Sequence, residues 1–463
     1  MATLTLSEGS TYDPSVPPPA FGHALKKYWA FDEGYVNLNN GAYGSQPLPV
    51  FAESQKIQLL SEQAPDEFHR RLYLPLLDEA RANVAKLLGA KVDEVVFVTN
   101  TSHGVGTVLR NIEWREGDVI LGASITYQAV ANGIRYLGDR SEQPRPQPYF
   151  VELRLPMTHQ ELIDAFRAKI REIKQLHPET EFTYTPGSEG QGNRFVVVID
   201  AIVSLPGVAL PWKRLVKMCA EDGLWSVIDA AHSIGQEVNI NLSEARPDFW
   251  ISNCHKWLYT KRSCAVLYVP ERNQHIIKSS IPTAHAYGSA TATSREGKPV
   301  PSFVAQHEWS ATVDFSPFLS TTHALKFREW LGGEAKINSY CHDLAVRGGT
   351  RLADILGTKV LDESGELTLN MTNVMLPLPV DVTGKPSVYN AQNMATIQAT
   401  VQQKQLFEWN VAASLLFHAG AWWVRASAQV WTEISDFEYL GKALAQICEE
   451  IIEDIPELKK VDA

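Results

Sequence analysis

Cysteine is scarce in this 463-residue sequence and does not occur in the spacings that carry metal or redox chemistry. The five cysteines are odd in number and contain no CxxC pair, so they indicate neither a disulfide framework nor a zinc site. None of the 13 histidines lies in an HExxH pattern, the signature of zinc proteases. The sequence therefore predicts no bound metal.

Long hydrophobic runs and an excess of basic residues are also missing. No apolar stretch is long enough to cross a bilayer. Residues 1–20 have neither the basic start nor the apolar core of a signal peptide. The 53 acidic and 42 basic residues give a net charge of −11, which argues against nucleic-acid and anionic-membrane partners. We therefore expect a cytoplasmic protein that binds a small molecule.

What the sequence does contain is an alternation of short apolar strands and helices. One predicted helix spans 74–88 and ends at Gly89. The predicted strands cover 95–98, 119–121, 195–200, 225–229, 249–252 and 265–269. Strands separated by helices in this way predict an α/β fold with a mostly parallel sheet.

The pattern changes after about residue 320, where long helices and a few strands predict a smaller α+β domain. We therefore divide the chain into an N-terminal arm over 1–45 that packs on the small domain, a large domain over 46–318 and a small domain over 319–463. Three polar or small-residue stretches are predicted as surface loops: 140–149, 178–194 and 286–302.

Five features suit one chemistry, although each also has an ordinary structural explanation. The first is VTNTSHGVG at 98–106, where a strand ends and a helix begins. Backbone N–H groups and the hydroxyls of Thr101 and Ser102 can bind an anion there; the alternative is a helix N-cap.

The second feature is Tyr127, just after a strand. Its ring can stack on a flat cofactor and its hydroxyl can transfer protons; the alternative is a core tyrosine.

Two predicted strands end in an acid and a lysine. Asp229 lies where α/β sheets bind ligands, and a protonated ring nitrogen would pair with its charge; the alternative is a helix N-cap. His232, three residues later, can hydrogen-bond a phenolic oxygen on such a ring. Lys256, in ISNCHKWLYTKR, lies among apolar residues, where loss of solvent lowers the pKa of an amine and favours a covalent link to an aldehyde. Most lysines lie instead at the surface.

The fifth feature is Arg425, in the apolar and aromatic stretch WWVRASAQVW at 422–431. A buried arginine needs an anionic partner, and its planar fork suits a carboxylate; the alternative is an internal salt bridge. The joint order is more specific than any single feature. It runs from a phosphate-type turn through an aromatic residue, a strand-end acid and a strand-end lysine to a late arginine.

With these residues in this order, the sequence resembles the class V aminotransferase family from NLNNGAYGSQP at 37–47 to RASAQVW at 425–431. These are pyridoxal-phosphate (PLP) enzymes of fold type I that include cysteine desulfurases and isopenicillin N epimerase. NCHKW, with DAAHSIG upstream, resembles the epimerase-like branch more than the desulfurases. The resemblance implies a PLP-dependent transferase fold with a large α/β domain and a small α+β domain.

The resemblance also implies roles for individual residues. Lys256 would bind PLP covalently, Asp229 would pair with the ring nitrogen, His232 would contact the phenolic oxygen, and Tyr127 would stack on the ring. The remaining matches are phosphate binding by Thr101, Ser102, Asn253 and His255, carboxylate binding by Arg425, and, by Thr312, a contact with the phosphate bound in the partner subunit. The last match implies a homodimer with shared sites. Asn40 and Tyr43 are expected near the substrate.

Several positions depart from the family pattern. Tyr127 stands where many relatives have histidine, Asn253 where desulfurases have serine, and Ala311 where glycine is common. The serine-to-asparagine difference puts the phosphate contact of Asn253 in question. Residues 401–424 lack the nucleophilic cysteine that desulfurases carry before the arginine strand, so we do not expect a persulfide-forming enzyme.

The residues alone leave the reaction open, because PLP stabilises a carbanion at Cα whatever the product. Overall likeness to the fungal-type hercynylcysteine sulfoxide lyases of ergothioneine biosynthesis implies β-elimination of a cysteine S-conjugate or sulfoxide to pyruvate and ammonia. Lys256 would then act as the base, and Tyr127 would assist the leaving sulfur. The alternatives are epimerisation of a peptide-like amino acid, transamination, and a non-catalytic protein of the same fold.

Overall fold

The computed structural model contains a central seven-stranded sheet. It describes residues 9–141, 144–183, 192–278, 280–283, 286–289, 301–309, 311–379, 381–382, 385–386, 389–390 and 393–454. The strands are β1 (Val95–Val98), β2 (Val119–Ala123), β3 (Gln147–Val151), β4 (Phe195–Asp200), β5 (Trp225–Asp229), β6 (Phe249–Asn253) and β7 (Ala265–Tyr268). Their order is β1-β7-β6-β5-β4-β2-β3. Only β7 runs antiparallel to its neighbours, so the predicted α/β fold with a mostly parallel sheet is confirmed.

Helices cover both faces of this sheet. The longer helices are α1 (Leu48–Gln63), α2 (Tyr73–Leu88), α3 (Thr101–Asn111), α4 (Gln128–Asp139), α5 (His159–Leu176), α6 (Trp212–Glu221), α7 (Ser316–Trp330), α8 (Gly333–Leu356), α9 (Met394–Phe407) and α10 (Ile434–Asp454). Short helical segments occur at His23–Tyr28, Asn40–Tyr43, Pro65–Glu67, Phe68–Leu72, Val92–Glu94, Leu242–Ala245, Cys254–Trp257, Glu271–Ile276 and Ala305–Glu308. Among the described helices, none combines the length and hydrophobicity needed to span a membrane.

The central strands are buried on both faces, which explains why the sequence predicts them well. Every residue of β4 is buried. Val197 and Ile199 pack in the core that α2, α5 and α6 cover, whereas Val196 and Val198 pack in the core under α3 and α4. Strands covered on both faces need an almost continuous apolar run, here FVVVI.

One predicted loop is wrong. Residues 140–149 were expected to form a surface loop, but β3 begins at Gln147 and pairs in parallel with β2 at the edge of the sheet. An edge strand is partly exposed and tolerates a proline such as Pro148, so it lacks the apolar run that marks a central strand. In the predicted loop 178–194, Phe182 and Asn193 form an isolated bridge. Much of the predicted loop 286–302 lies outside the described residues.

The C-terminal part contains a smaller antiparallel sheet. Its strands are β8 (Met371–Met375), β9 (Ser414–His418) and β10 (Ala421–Ser427), in the order β9-β10-β8. Helices α8 and α10 pack against each other in the core of this part. The N-terminal segment contacts the same core, because Trp29 lies with its ring centroid 4.3 Å from that of Trp431. Short pairings join Val36–Asn37 to Val411–Ala412 and Asp381–Val382 to Lys385–Pro386.

Candidate active site

A cavity of about 340 Å³ opens at the carboxyl ends of β4, β5 and β6, beside the start of α3. In parallel sheets this edge is where ligands bind. The lining residues are Ala42, Tyr43, Asn100, Thr101, Ser102, Tyr127, Asp200, Ile202, Ser204, Asp229, Ala231, His232, Asn253, His255 and Lys256. The structure therefore brings most of the predicted site residues together, whereas Asn40, Arg425 and Thr312 do not line the cavity.

Lys256 follows β6 in a single helical turn, and its amine faces the cavity. The Asn40 side-chain amide donates to the backbone oxygen of Lys256 over 3.0 Å. Asn40 therefore fixes the backbone at the lysine. Burial and, to a lesser extent, the charge of Arg425 lower the pKa of Lys256 to about 8, although Asp229 opposes the shift. A neutral, nucleophilic amine is therefore accessible near neutral pH.

Behind the lysine, His232 is fully buried and in contact with two groups. Its Nε2 lies 3.1 Å from the Nζ of Lys256. Its Nδ1 accepts a hydrogen bond from the indole N–H of Trp257 over 3.1 Å. Burial, with the nearby positive charges of Lys256 and Arg425, holds the pKa of His232 well below its usual value. The imidazole is therefore neutral.

Two acids end neighbouring strands at the floor of the cavity. Asp229 accepts from the backbone N–H of Ala231 over 3.0 Å, and burial raises its pKa. The second acid, Asp200, accepts from the Thr126 hydroxyl over 2.7 Å and from the backbone N–H of Tyr127 over 3.3 Å. Sequence reasoning missed Asp200, although FVVVID ends in an acid just as WSVID does. Asp200 fixes the turn that presents Tyr127.

The end of the cavity at α3 is suited to a phosphate. The hydroxyl of Thr101 is buried and has no hydrogen-bond partner among the described residues, at the N-terminus of a helix where backbone N–H groups attract anions. The Asn253 side-chain oxygen accepts from the backbone N–H of Thr101 over 2.9 Å, so Asn253 joins β6 to this helix start. His255 donates from Nδ1 to the Cys264 carbonyl over 2.9 Å, and burial lowers its pKa to about 4.

Two tyrosines stand on the open side of the cavity. Tyr127 precedes α4 and keeps 45% of its surface exposed, so its ring is free to cover a ligand in the cavity. Tyr43 is 72% exposed and lies at the entrance. An aromatic surface of this size, half open in a site lined by polar groups, is typical of a stacking position.

Arg425 is a buried cation on β10, with 1% of its surface exposed. It donates to the Ser204 carbonyl over 2.7 Å, to the Asn39 side-chain oxygen over 2.8 Å and to the Ser414 hydroxyl over 3.1 Å. Burial lowers its pKa to about 10. Among the described residues no carboxylate pairs with it, so the alternative of an internal salt bridge is not what the structure contains. A buried, unpaired cation next to the lining residue Ser204 is ready for an anionic ligand.

Thr312 is exposed and lies outside the cavity of its own chain. The preceding residue, Ala311, has a φ of 104°, a backbone conformation that glycine adopts far more readily. This conformation gives a physical reason for the glycine that the family resemblance leads one to expect at this position.

Asn39, Ser204 and Ser414 support Arg425 and gave no signal in the sequence, because they lie far apart along the chain.

The residues present fit PLP. A partnerless hydroxyl and a helix start suit its phosphate, the Asp229 carboxylate suits a protonated ring nitrogen, and the Lys256 amine suits its aldehyde. The fold and this cavity together define a PLP-dependent enzyme of fold type I.

Comparisons with known proteins agree with this class. The family model described as aminotransferase class I and II matches residues 33–245. The L-cysteine desulfhydrase-like protein lolT1 of Epichloe uncinata is 34% identical over 93% of this chain and 97% of its own length. Hercynylcysteine sulfoxide lyase of Schizosaccharomyces pombe is 30% identical over 92% of this chain and 98% of its own. The chain therefore belongs to the family of PLP-dependent enzymes that contains these proteins, and the predicted family is confirmed.

A solved structure shows the same fold. A mutant of C-DES with glycine covalently linked to its PLP cofactor matches with a TM-score of 0.69 at 15% identity, over 91% of this chain and 98% of that chain. At this level of identity the similarity establishes the fold and leaves the reaction to be argued from the site.

Proposed function

We propose that this enzyme cleaves a carbon–sulfur bond in a cysteine S-conjugate or sulfoxide by β-elimination. The sulfur leaves as a thiol from a conjugate or as a sulfenic acid from a sulfoxide, and water hydrolyses the remaining three-carbon fragment to pyruvate and ammonia. The observation that carries the proposal is the composition of the cavity. It combines an amine of lowered pKa with a neighbouring unpaired guanidinium, and none of its described lining residues is a cysteine. All five cysteines are buried and none of them lines the cavity, including Cys254 in the same helical turn as Lys256. The site therefore has a base and an anchor for an amino acid, but no thiol to carry a persulfide.

Each residue has a definite task in this reaction. Arg425 binds the substrate carboxylate through its planar fork and fixes the orientation of Cα. PLP, when bound, supplies the electron sink that stabilises negative charge at Cα. Lys256 Nζ removes the Cα proton, and the carboxylate of Asp229 keeps a proton on the ring nitrogen. The Tyr127 hydroxyl, on the open side of the cavity, donates a proton to the departing sulfur.

We propose hercynylcysteine sulfoxide as the substrate, and ergothioneine biosynthesis as the setting. The similarity to the Schizosaccharomyces pombe lyase over almost the whole of both chains supports this choice. The names of other relatives make L-cysteine the substrate to compare with it. Epimerisation of a peptide-like amino acid is the alternative, and it would require proton donors on both faces of Cα.

We further propose that the enzyme is a cytoplasmic homodimer. Thr312 is exposed and does not line the cavity of its own chain, which supports a role at the site of a second subunit. The five cysteines are all free, as expected for a reducing compartment.

The experiment is to incubate the PLP-loaded enzyme with hercynylcysteine sulfoxide, a simple cysteine S-conjugate and L-cysteine, and to measure pyruvate. We expect the enzyme to form pyruvate from hercynylcysteine sulfoxide with the highest kcat/KM of the three substrates. Racemisation at Cα without pyruvate would replace the lyase with the epimerase. A preference for L-cysteine would retain the lyase and reject the proposed substrate.

A further inference from the structure

The indole of Trp257 is held rigidly beside the catalytic lysine. Trp257 belongs to the same helical turn as Lys256, and its ring packs in a small separate core with Ile202 and Met371. Its backbone oxygen accepts a hydrogen bond of 2.7 Å from the buried guanidinium of Arg328. Both the ring and the backbone are thus fixed, so the indole N–H keeps its direction towards the Nδ1 of His232.

This contact determines where the proton of His232 lies. An indole N–H is only a donor, so the Nδ1 that it meets must carry a lone pair. A neutral imidazole has one proton, which must then be on Nε2. The Nε2–H points at the Lys256 Nζ, 3.1 Å away. An ammonium group has no lone pair to accept this proton, whereas a neutral amine has one.

We infer that Trp257 is a positioning residue that locks His232 in its Nε2–H form and thereby holds Lys256 as a neutral amine. This inference rests on the proposed role of Lys256 and deepens it. Asp229 also acts on the lysine by favouring its charged form, whereas the positive charge of Arg425 disfavours that form. The adjacent His255, whose pKa burial lowers to about 4, is neutral near pH 7. Trp257 acts against Asp229 without contributing a charge of its own. The same Nε2–H is a donor suited to the phenolic oxygen of PLP.

Removal of the indole N–H should free the tautomer. In Trp257→Phe, His232 can move its proton to Nδ1 and accept at Nε2 from a charged lysine, so the pKa of Lys256 should rise. An amine must be neutral to remove a proton, and the acid limb of the kcat profile should therefore move to higher pH. We expect a shift of about 0.5 to 1 pH unit, the size of one net hydrogen bond.

Trp250→Phe is the matched control. Trp250 is fully buried in β6, and its indole nitrogen has no hydrogen-bond partner in the part of the chain that the structure describes. This substitution removes the same atoms and tests the effect of lost bulk alone, so the acid limb should stay in place. A second control is His232→Leu, because a leucine side chain can neither donate to the Lys256 amine nor accept from it. Trp257→Phe should cause no further shift when it is added to His232→Leu.

A readout that does not depend on turnover is the ¹⁵N spectrum of histidine-labelled holoenzyme, with His232 assigned by its loss in His232→Leu. We expect an unprotonated Nδ1 and a protonated Nε2 in the wild type. A proton on Nδ1, or an unchanged kcat profile in Trp257→Phe, would overturn the inference. Neither result would affect the proposed lyase reaction, which pyruvate formation tests separately. Should Trp257→Phe not fold, the wild-type spectrum decides alone.

Discussion

Asp200 and Asp229 lie beside each other as paired residues at the ends of the parallel strands β4 and β5. Both are buried, and burial is the largest cause of the raised pKa of each carboxyl group. The charge of Asp229 raises the pKa of Asp200 further. Two buried acids on neighbouring strands favour a positively charged group beside them, and a protonated ring nitrogen is such a group.

Replacement of Asp229 by asparagine keeps the shape of the side chain and removes its charge. We expect kcat to fall by at least about 10²-fold, the scale of a lost electrostatic or proton-transfer partner. Asp200→Asn is the comparison, and it should cost less because Asp229 remains to pair with the ring. Near-normal turnover in Asp229→Asn would remove this residue from the ring nitrogen.

Asp200 and Asp229 should also make the free energy of unfolding depend on pH. The folded-state pKa of each carboxyl is raised, so the folded cofactor-free protein binds these protons more tightly than the unfolded chain does. Their contribution is complete below the unfolded value of about 4 and is lost as the pH rises towards the folded pKa. Urea unfolding of the cofactor-free protein from pH 4 upwards should therefore show a declining free energy of unfolding. The decline should be smaller in Asp200→Asn. The same decline with pH in the variant and in the wild type would contradict a raised pKa of Asp200 in the folded protein.

Arg425→Lys retains the charge and loses the planar fork. We expect kcat/KM to fall by about 10- to 100-fold, as for a lost charge-assisted hydrogen bond. Arg351→Lys, at a half-exposed arginine paired with Glu438, is the control and should have wild-type kinetics. An unchanged kcat/KM in Arg425→Lys, with PLP bound normally, would exclude this residue from carboxylate binding.

Tyr127→Phe separates stacking from proton donation, because the ring remains and the hydroxyl is lost. If the hydroxyl assists the leaving sulfur, pyruvate formation should slow by about 10²-fold, whereas exchange of the Cα hydrogen with deuterated solvent should continue. Tyr136→Phe, in the helix α4 that Tyr127 precedes and at a position 61% exposed, is the control. Wild-type rates of both processes in Tyr127→Phe would leave Tyr127 as a stacking residue only.

The sequence predicts the central strands and most of the cavity because both depend on local signals. The buried strands carry unbroken apolar runs. Asp229 is the last residue of β5, and Lys256 follows the end of β6 by three residues. The sequence did not predict β3, since an edge strand needs no such run. It also did not predict the hydrogen bonds that orient the side chains of the site. Asn39 and Arg425 are hydrogen-bonded although 386 positions separate them, and Trp257 meets His232 only after two strands are aligned. Such contacts come from tertiary packing and have no periodicity to read.

The central claim is that Lys256 holds PLP, and the most direct measurement is borohydride reduction of the holoenzyme followed by peptide mapping. The site predicts a single pyridoxyl group on the peptide that contains NCHKW, on Lys256. Lys256→Ala should fold, lose this label and lose nearly all turnover. A pyridoxyl group on another lysine, or a label that persists in Lys256→Ala, would contradict the account.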